Sequence, residues 1–228
     1  ILIREAAALE TAHKTNAVIL DKTGTLTQGK PAVTDILPVG DQIGNHILKV
    51  AASLEQRSEH PLGKAIIQAA ASLGQRSSHT LDKAVKEEVL KEKIELFEVS
   101  DFEAVPGKGI KGNLLIGGEI FQAALGNREI LKVLGLDIKK MEPEIQKLEN
   151  DGKTVMILVW NNQIEGLIAV ADVLKPEAKE AVKKLKEAGL EIWMITGDNE
   201  RTAQAIGKQV GIENIMAQVL PQNKAAKV

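Results

Sequence analysis

The chain has 228 residues, of which 44% are hydrophobic and 26% charged, and its formal net charge at pH 7 is −2. This near-neutral balance provides no basic field for nucleic acid, so we expect no nucleic-acid partner. The chain has no cysteine, which excludes disulfides and thiolate zinc sites, and its four histidines are scattered without metal-ligand spacing. No apolar run reaches the length of about 18 residues that a membrane-spanning helix needs.

The first predicted elements are an amphipathic helix over residues 2–14 and a short apolar strand over residues 17–21. A strand of this kind is typical of a parallel sheet with neighbours on both sides. It ends at Asp21, which opens the stretch DKTGTLT. An isolated carboxylate there would be costly to desolvate unless it is paired or does chemistry.

The middle of the chain predicts a different kind of unit. Its predicted elements are two helices (42–57 and 61–73), a charged helix (81–93), three short strands (94–104, 109–116 and 119–124), a helix from Asn127 to Leu134, and a strand pair that turns at NNQ, residues 161–163. We therefore predict an α+β domain over 34–170, built on an antiparallel sheet and inserted after the first strand of another domain.

The sequence after residue 170 predicts alternating helices and strands. The expected elements are a helix from Pro176 with Ala178, Ala181, Val182 and Leu185 on one face and Gly189 past its end, a strand over 190–195, a helix over 199–210 and a strand over 215–219. Residues 15–33 and 171–228 would thus form a discontinuous α/β domain with a doubly wound parallel sheet, and residues 172–176 would be the return linker.

Three side chains follow predicted strands of this sheet. Asp21 ends the first strand, Thr196 follows another, and Lys224 comes after a third. Because ligands bind beyond the carboxyl ends of parallel strands, these residues would face one crevice if the strands are neighbours. A carboxylate can attack phosphorus, while a hydroxyl, a backbone amide and a lysine hold phosphoryl oxygens. The pattern favours phosphoryl transfer, with Mg²⁺ offsetting the charge.

The stretch DKTGTLT resembles the phosphorylation motif of the P-type ATPases, members of the haloacid dehalogenase superfamily. TGDN (196–199) resembles their second motif, although Thr-Gly-Asp also makes an ordinary strand-to-helix turn. PQNK (221–224) resembles the segment with their phosphate-contacting lysine. The resemblance assigns catalytic roles to Asp21, Lys22, Thr23, Thr25, Thr196, Gly197, Asp198 and Lys224, and Mg²⁺ to Asp21 and the Thr23 carbonyl.

The residue two positions after Asp21 separates two functions within this superfamily. Its phosphatases usually carry a second aspartate there as general acid/base, whereas this chain has Thr23. A phosphoenzyme without that group should hydrolyse slowly, which suits a pump and argues against a soluble phosphatase.

The stretch SEHPLG (58–63) has an ordinary explanation as a helix start, with Ser58 as the cap and Pro61 in the first turn. It also resembles the signature of heavy-metal-transporting P-type ATPases, whose histidine lies beside adenine. The resemblance places His60 at the adenine of ATP, together with Glu55 one helical turn earlier.

The stretch GKGIKG (107–112) fits the dinucleotide pattern G-x-G-x-x-G literally, but that fingerprint needs a strand before it and a helix after it. An ordinary glycine turn between strands is one alternative. PGKGI also resembles the glycine motif by which the same ATPases bring backbone close to ATP, and LGN (125–127) resembles another part of that site. The resemblance thus assigns Gly107, Gly109, Gly126 and Asn127 to the nucleotide.

The resemblance implies a nucleotide-binding domain, residues 34–170, inserted in a haloacid dehalogenase-like phosphorylation domain. It implies ATP between the two, a hinge at 172–176, and a stalk-helix remnant over 1–14. The parent would be an integral membrane pump whose transmembrane and actuator domains are partners, with this chain, monomeric, on the cytoplasmic face. FEAVPGKGI and EIWMITGDN look most like copper exporters, with a zinc or cadmium pump as the alternative.

The chain opens without methionine inside a helical pattern, and the family's third motif would lie beyond Lys224. We therefore expect a fragment whose phosphoenzyme turnover is impaired or absent. Three other functions stay open from the sequence: a soluble phosphatase of the same superfamily, a non-catalytic nucleotide-binding module, and a dinucleotide-binding protein.

Overall fold

A computed structural model describes residues 14–40, 44–58, 60–74, 96–220 and 223–224, with side chains of 68–74 excluded. The predicted helices over 2–14 and 81–93 lie outside the described residues, apart from Lys14. The described elements in chain order are β1 (Ala17–Asp21), β2 (Thr27–Pro38), α1 (Gly44–Glu55), α2 (Pro61–Gly74), β3 (Glu98–Val105), β4 (Gly109–Ile116), β5 (Glu119–Gly126), α3 (Arg128–Leu134), α4 (Glu142–Asn150), β6 (Thr154–Trp160), β7 (Gln163–Leu174), α5 (Ala178–Glu187), β8 (Glu191–Ile195), α6 (Glu200–Val210) and β9 (Asn214–Met216).

The chain divides into two compact units. We call Ile1–Gly29, Asn150–Gly152 and Asp172–Val228 the α/β unit, and Lys30–Glu149 with Lys153–Ala171 the inserted unit. The assignment of a phosphorylation domain to 15–33 and 171–228, and of a nucleotide-binding domain to 34–170, stays a prediction. Within the described ranges, every helix is too short or too polar to cross a bilayer.

A parallel sheet of order β1-β8-β9 forms the centre of the α/β unit. In its hydrophobic core, Met194 of β8 packs with Val182 of α5 and Ile206 of α6. The predicted strands and helices are present, with several local corrections. Among the described strands β1 pairs only with β8 rather than having neighbours on both sides, and β7 continues to Leu174 within the expected linker. Helix α5 begins at Ala178 rather than Pro176, the last strand covers only Asn214–Met216, and Ala181 is exposed because the buried stripe of α5 runs through Ala178 and Val182.

The inserted unit is built on a six-stranded sheet of order β2-β7-β6-β5-β4-β3, whose neighbours from β7 to β3 pair antiparallel. Hydrophobic cores cover both of its faces. Met156 and Leu158 of β6 pack with α1 and α2, whereas Ile157 and Val159 pack with α3 and α4. Successive residues of a strand point to opposite faces, so a strand buried on both faces is a continuous apolar run.

Two elements were not predicted. Strand β2 contains Gly29 and Pro31, which rank among the residues least favourable to strands, so its pattern does not stand out. Helix α4 buries mainly Ile145 and Leu148 on one turn, too few apolar positions to show a helical period. The predicted combination of a parallel α/β sheet with an inserted antiparallel sheet is confirmed.

Candidate functional site

Asp21 lies at the carboxyl end of β1, opposite Ile195 at the end of the neighbouring strand β8. Thr196 therefore follows directly at the same edge of the sheet. The ammonium group of Lys224 donates to both carboxylate oxygens of Asp21, at 2.9 and 2.7 Å. The expectation that Asp21, Thr196 and Lys224 share one edge of the sheet agrees with this geometry, in which the Asp21 carboxylate contacts the Lys224 ammonium and Thr196 follows the neighbouring strand.

A second ion pair lies at the same edge. The ammonium group of Lys22 is 2.5 Å from Oδ2 of Asp198, and both side chains are almost buried. The Thr196 hydroxyl donates to the same carboxylate at 2.9 Å and accepts the Asp198 amide at 3.1 Å. Thr196 is 2% exposed, so this hydroxyl is held by hydrogen bonds within the turn rather than by solvent. Gly197, between the two, is exposed.

The segment that follows Asp21, Lys22–Leu26, forms one irregular helical turn. Gly24 adopts a φ of +75°, a left-handed conformation that favours glycine. Thr23 and Thr25 are exposed on this turn, whereas Lys22 and Leu26 are buried. The turn thus presents two hydroxyls and its backbone beside Asp21.

The donor set at this edge fits Mg²⁺, which prefers hard oxygen ligands and keeps several of them as water or phosphate. Asp21 supplies a carboxylate and Thr23 a backbone carbonyl. Among the described residues, no cluster of three or more histidine, cysteine, aspartate or glutamate side chains could hold a metal ion.

The inserted unit buries a carboxylate at the end of α1. Glu55 is 2% exposed, and within the described residues its Oε2 atom has no hydrogen-bond partner. Burial raises the pKa of Glu55, and a hydrogen bond with Ser58 opposes this effect. A Cβ atom at Gly63 would collide with this carboxylate, so the glycine of SEHPLG leaves it room. An unsatisfied buried acceptor is costly, and a hydrogen-bond donor would lower that cost.

His60 lies at the start of α2 and is exposed. Its Nδ1 accepts a hydrogen bond from the Leu62 amide at 3.2 Å, and its own amide donates to the Ser58 hydroxyl at 3.2 Å. In the neutral ring, an accepting Nδ1 leaves the proton on Nε2. The α1–α2 connection therefore fixes the ring and gives it a donor.

The predicted glycine residues of the inserted unit lie together at the start of β4 and the end of β5. Gly109 stands opposite Gly126 in the β4–β5 register, and a Cβ on either would collide with the backbone of the other strand. Asn127 donates its side-chain amide to the Gly107 carbonyl at 2.8 Å and its backbone amide to the Lys108 carbonyl at 2.8 Å. Gly109 and Gly126 are thus required by the protein's own close packing.

Arg128 was missed by the sequence analysis. It follows Asn127, the N-cap of α3, and binds Glu142 and Glu149 of α4. Burial alone would lower the pKa of Arg128, but its hydrogen bonds with Glu149 and Glu142 raise it. The sequence feature that could have indicated this ion pair is the spacing of Glu142 and Glu149, which are seven residues apart and so lie on one face of a helix.

The comparisons with known proteins agree with this architecture. The family model of the haloacid dehalogenase-like hydrolases matches residues 15–228. The copper-transporting P-type ATPase of Rhizobium leguminosarum bv. viciae is 42% identical over 228 residues, which are 100% of this chain and 24% of that protein. The chain thus spans about a quarter of the length of the curated relatives it matches.

Two solved structures share the fold. The catalytic domain of a CPx-ATPase, studied for its conformational changes upon nucleotide binding, superposes with a TM-score of 0.64 at 26% identity, covering 100% of this chain and 70% of that one. A zinc-transporting PIB-type ATPase in its E2.Pi state gives a TM-score of 0.60 at 32% identity, covering 100% of this chain and 33% of that one. The predicted resemblance to heavy-metal P-type ATPases is confirmed, and the chain belongs to the haloacid dehalogenase-like hydrolases.

Proposed function

We propose that this chain binds ATP and accepts its γ-phosphoryl group on Asp21, as the catalytic region of a P-type ATPase that moves a metal ion across a membrane. The observation that carries the proposal is the grouping at the ends of β1 and β8. There the Asp21 carboxylate lies against the Lys224 ammonium. Thr196 and Asp198 follow the neighbouring strand β8, and Asp198 pairs with Lys22, which follows β1.

In the proposed reaction a carboxylate oxygen of Asp21 forms a bond to the γ-phosphorus. The bond from that phosphorus to the β–γ bridging oxygen breaks, and ADP leaves with the electron pair. Lys224 neutralises phosphoryl charge, and the Thr196 hydroxyl with the Gly197 amide steadies the phosphoryl oxygens. Lys22 is engaged with Asp198, so its contribution is to keep that carboxylate neutralised beside a negatively charged substrate. Thr23 and Thr25 give the turn short side chains beside the substrate.

Mg²⁺, when bound, would neutralise phosphate charge and orient the phosphoryl group. The Asp21 carboxylate and the Thr23 carbonyl are the groups of this chain that would hold it. Thr23 stands where a phosphatase of this family would carry its acid/base aspartate, so we expect an aspartyl phosphate that hydrolyses slowly.

The inserted unit would bind the adenosine part of ATP. We assign adenine to His60, whose exposed ring can contact the base, and to the Glu55 carboxylate, which the resemblance places near it. Gly107, Gly109 and Gly126 offer backbone without side chains at the β4–β5 end, and the Asn127 side chain holds the Gly107 carbonyl there.

The transported ion is proposed from relatives rather than from this chain's own residues. Several curated relatives transport copper, and a structural neighbour transports zinc. We propose Cu(I), with zinc or cadmium as the alternative. The chain would lie on the cytoplasmic face, with transmembrane and actuator domains of its parent as partners.

The proposal is tested by incubating the chain with Mg²⁺ and ATP, quenching in acid, and measuring bound phosphoryl groups by mass spectrometry. We expect one phosphoryl group that hydroxylamine removes, as it does from acyl phosphates, and none in Asp21→Asn. Hydrolysis of p-nitrophenyl phosphate without a trapped intermediate would instead support a phosphatase. ATP binding with no incorporation at any substrate level would support a non-catalytic nucleotide-binding module.

A further inference from the structure

We propose that Asp172 is a positioning residue for the turn Lys22–Leu26, acting through Thr27 and Gly29, and that Lys175 supports the same turn from its other side. The consequence for catalysis rests on the proposed function, because it assumes that Asp21 is the nucleophile. The holding of the turn itself is independent of that assumption.

Asp172 lies near the end of β7, where the chain returns to the α/β unit. Its Oδ2 atom accepts the Thr27 hydroxyl at 2.6 Å and the Gly29 amide at 3.1 Å. Thr27 is fully buried, and 145 positions separate it from Asp172. A short hydrogen bond from a buried hydroxyl to a carboxylate is among the stronger kinds in proteins.

Thr27 also contacts the turn Lys22–Leu26. Its hydroxyl oxygen accepts the Gly24 amide at 3.2 Å and lies 3.1 Å from the Lys22 carbonyl oxygen. The Gly24 amide is therefore tied to the Thr27 hydroxyl, whose proton is directed to Asp172, and the Lys22 carbonyl lies close to the same hydroxyl.

Lys175 supplies the second support. Its backbone amide donates to the Leu26 carbonyl at 2.9 Å, and its ammonium group donates to the Gly24 carbonyl at 2.8 Å. Both peptide groups of Gly24, the residue with φ of +75°, are thus held by side chains from outside the turn. Without these hydrogen bonds a glycine can adopt many backbone conformations, so the contacts select the left-handed one.

The position of these contacts gives them a catalytic consequence. The turn begins at the residue after Asp21 and carries Thr23, whose carbonyl we assign to Mg²⁺. A displacement of about 1 Å from productive geometry can cost about 10²-fold in rate. Loss of the Asp172–Thr27 contact should therefore slow phosphoryl transfer while leaving ATP affinity, which we assign to the inserted unit, almost unchanged.

The first experiment measures hydrogen exchange of the Gly24 and Gly29 amides by NMR. We compare Asp172→Ala with Asp172→Asn, which keeps an acceptor oxygen, and Thr27→Val with Thr27→Ser, which keeps the hydroxyl. We expect up to about tenfold faster exchange for Gly29 in Asp172→Ala and for Gly24 in Thr27→Val, and values close to the unsubstituted chain in Asn and Ser. Unchanged exchange in both truncating variants would overturn the proposal.

The second experiment measures the rate of Asp21 phosphorylation and the ATP dissociation constant in the same variants. We expect a loss of about 10²-fold in rate for Asp172→Ala and Thr27→Val, unchanged ATP affinity, and recovery in the Asn and Ser variants. The double variant should lose little more than either single one, because both remove one contact. Additive losses, or equal loss in Asp172→Ala and Asp172→Asn, would contradict positioning through this hydrogen bond.

Lys175→Met is tested in the same way, with Lys183→Met on the exposed surface of α5 as the matched control. We expect faster Gly24 exchange in Lys175→Met and unchanged exchange in Lys183→Met, compared at unfolding temperatures close to that of the unsubstituted chain. Unchanged Gly24 exchange in Lys175→Met would overturn the role of Lys175. If the unsubstituted chain takes up no phosphoryl group, the proposed function fails. The exchange measurement then still decides whether Asp172 and Lys175 hold the turn.

Discussion

The Lys224 ammonium group lies 2.9 and 2.7 Å from the two carboxylate oxygens of Asp21, although 203 positions separate the residues in the chain. Asp21 is partly exposed, so this contact is worth little as a source of stability. Under the proposed function its value is chemical, because the lysine would neutralise the charge of a phosphoryl group transferred to Asp21.

We predict that Lys224→Met lowers the rate of Asp21 phosphorylation by about 10²-fold, the size of effect expected from removing one charged group beside a transition state. Lys224→Arg should retain part of the rate, because it keeps the charge but changes the geometry. The measurement is phosphoryl incorporation over time. Lys184→Met, on the exposed surface of α5, is the matched control and should behave like the unsubstituted chain.

His60→Ala should weaken ATP binding by about tenfold, because it removes a ring and a donor beside the base. Calorimetric titration of ATP measures this, and titration of NAD should give no heat. His46→Ala is the matched control in the same unit, since His46 packs against Trp160 instead. Equal ATP binding by the unsubstituted chain and His60→Ala, or NAD binding that depends on Gly107, would contradict the nucleotide assignment.

Glu55 makes stability depend on pH. Because burial raises its pKa above the ordinary value near 4.5, the folded chain keeps a proton at pH values where the unfolded chain has released it. The contribution to stability is therefore fully present below the unfolded pKa and is lost as the pH rises through the raised folded pKa. We expect Glu55→Gln to be more stable than the unsubstituted chain by about 1 kcal/mol at neutral pH, because a neutral amide is cheaper to bury.

The measurement is urea unfolding across the acid range for the unsubstituted chain, Glu55→Gln, and the exposed control Glu144→Gln. The advantage of Glu55→Gln should shrink as the pH falls below the raised pKa. ATP should bind this variant less well, because the orphaned carboxylate oxygen is gone. If Glu55→Gln is more stable than the unsubstituted chain by the same free energy at every pH, burial of a charged carboxylate is not the cause.

Arg128→Met should destabilise the inserted unit by about 2–4 kcal/mol, because it leaves the almost fully buried Glu149 without its cation. Glu149→Gln should cost less, since it removes the charge together with the ion pair. Unfolding monitored by Trp160 fluorescence measures both. Lys132→Met removes an exposed ion pair and is the control. If both variants lower the free energy of unfolding equally, burial of Glu149 is not the cause of the Arg128→Met effect.

The sequence predicted elements best where local and tertiary signals agree. Helix α3 runs from Arg128 to Leu134 between the Asn127 cap and Gly135 at φ of +70°, as its cap and stop residues indicated. The β6–β7 pair was equally clear, because its apolar run is interrupted only by a polar turn at Asn161 and Asn162.

What the sequence did not contain were contacts between distant positions. The tie from Asp172 to Thr27 and the ion pair of Lys22 with Asp198 depend on how strands are arranged, which no local pattern specifies. The assignment of Gly109 and Gly126 to the nucleotide comes from the resemblance and stays a prediction, and the close approach of β4 to β5 already requires glycine at both positions. The motifs identified the candidate residues, and the pairing of β1 with β8 places Asp21 and Thr196 at one edge of the sheet.

The most direct test of the account is label transfer from ATP. The chain is incubated with Mg²⁺ and ATP labelled in either the α- or the γ-phosphate, then quenched in acid and separated from free nucleotide. The account predicts that only the γ label stays with the chain, that hydroxylamine releases it, and that Asp21→Asn retains none. Retention of both labels, or of γ label in Asp21→Asn, would contradict the assignment of Asp21 as the phosphoryl acceptor.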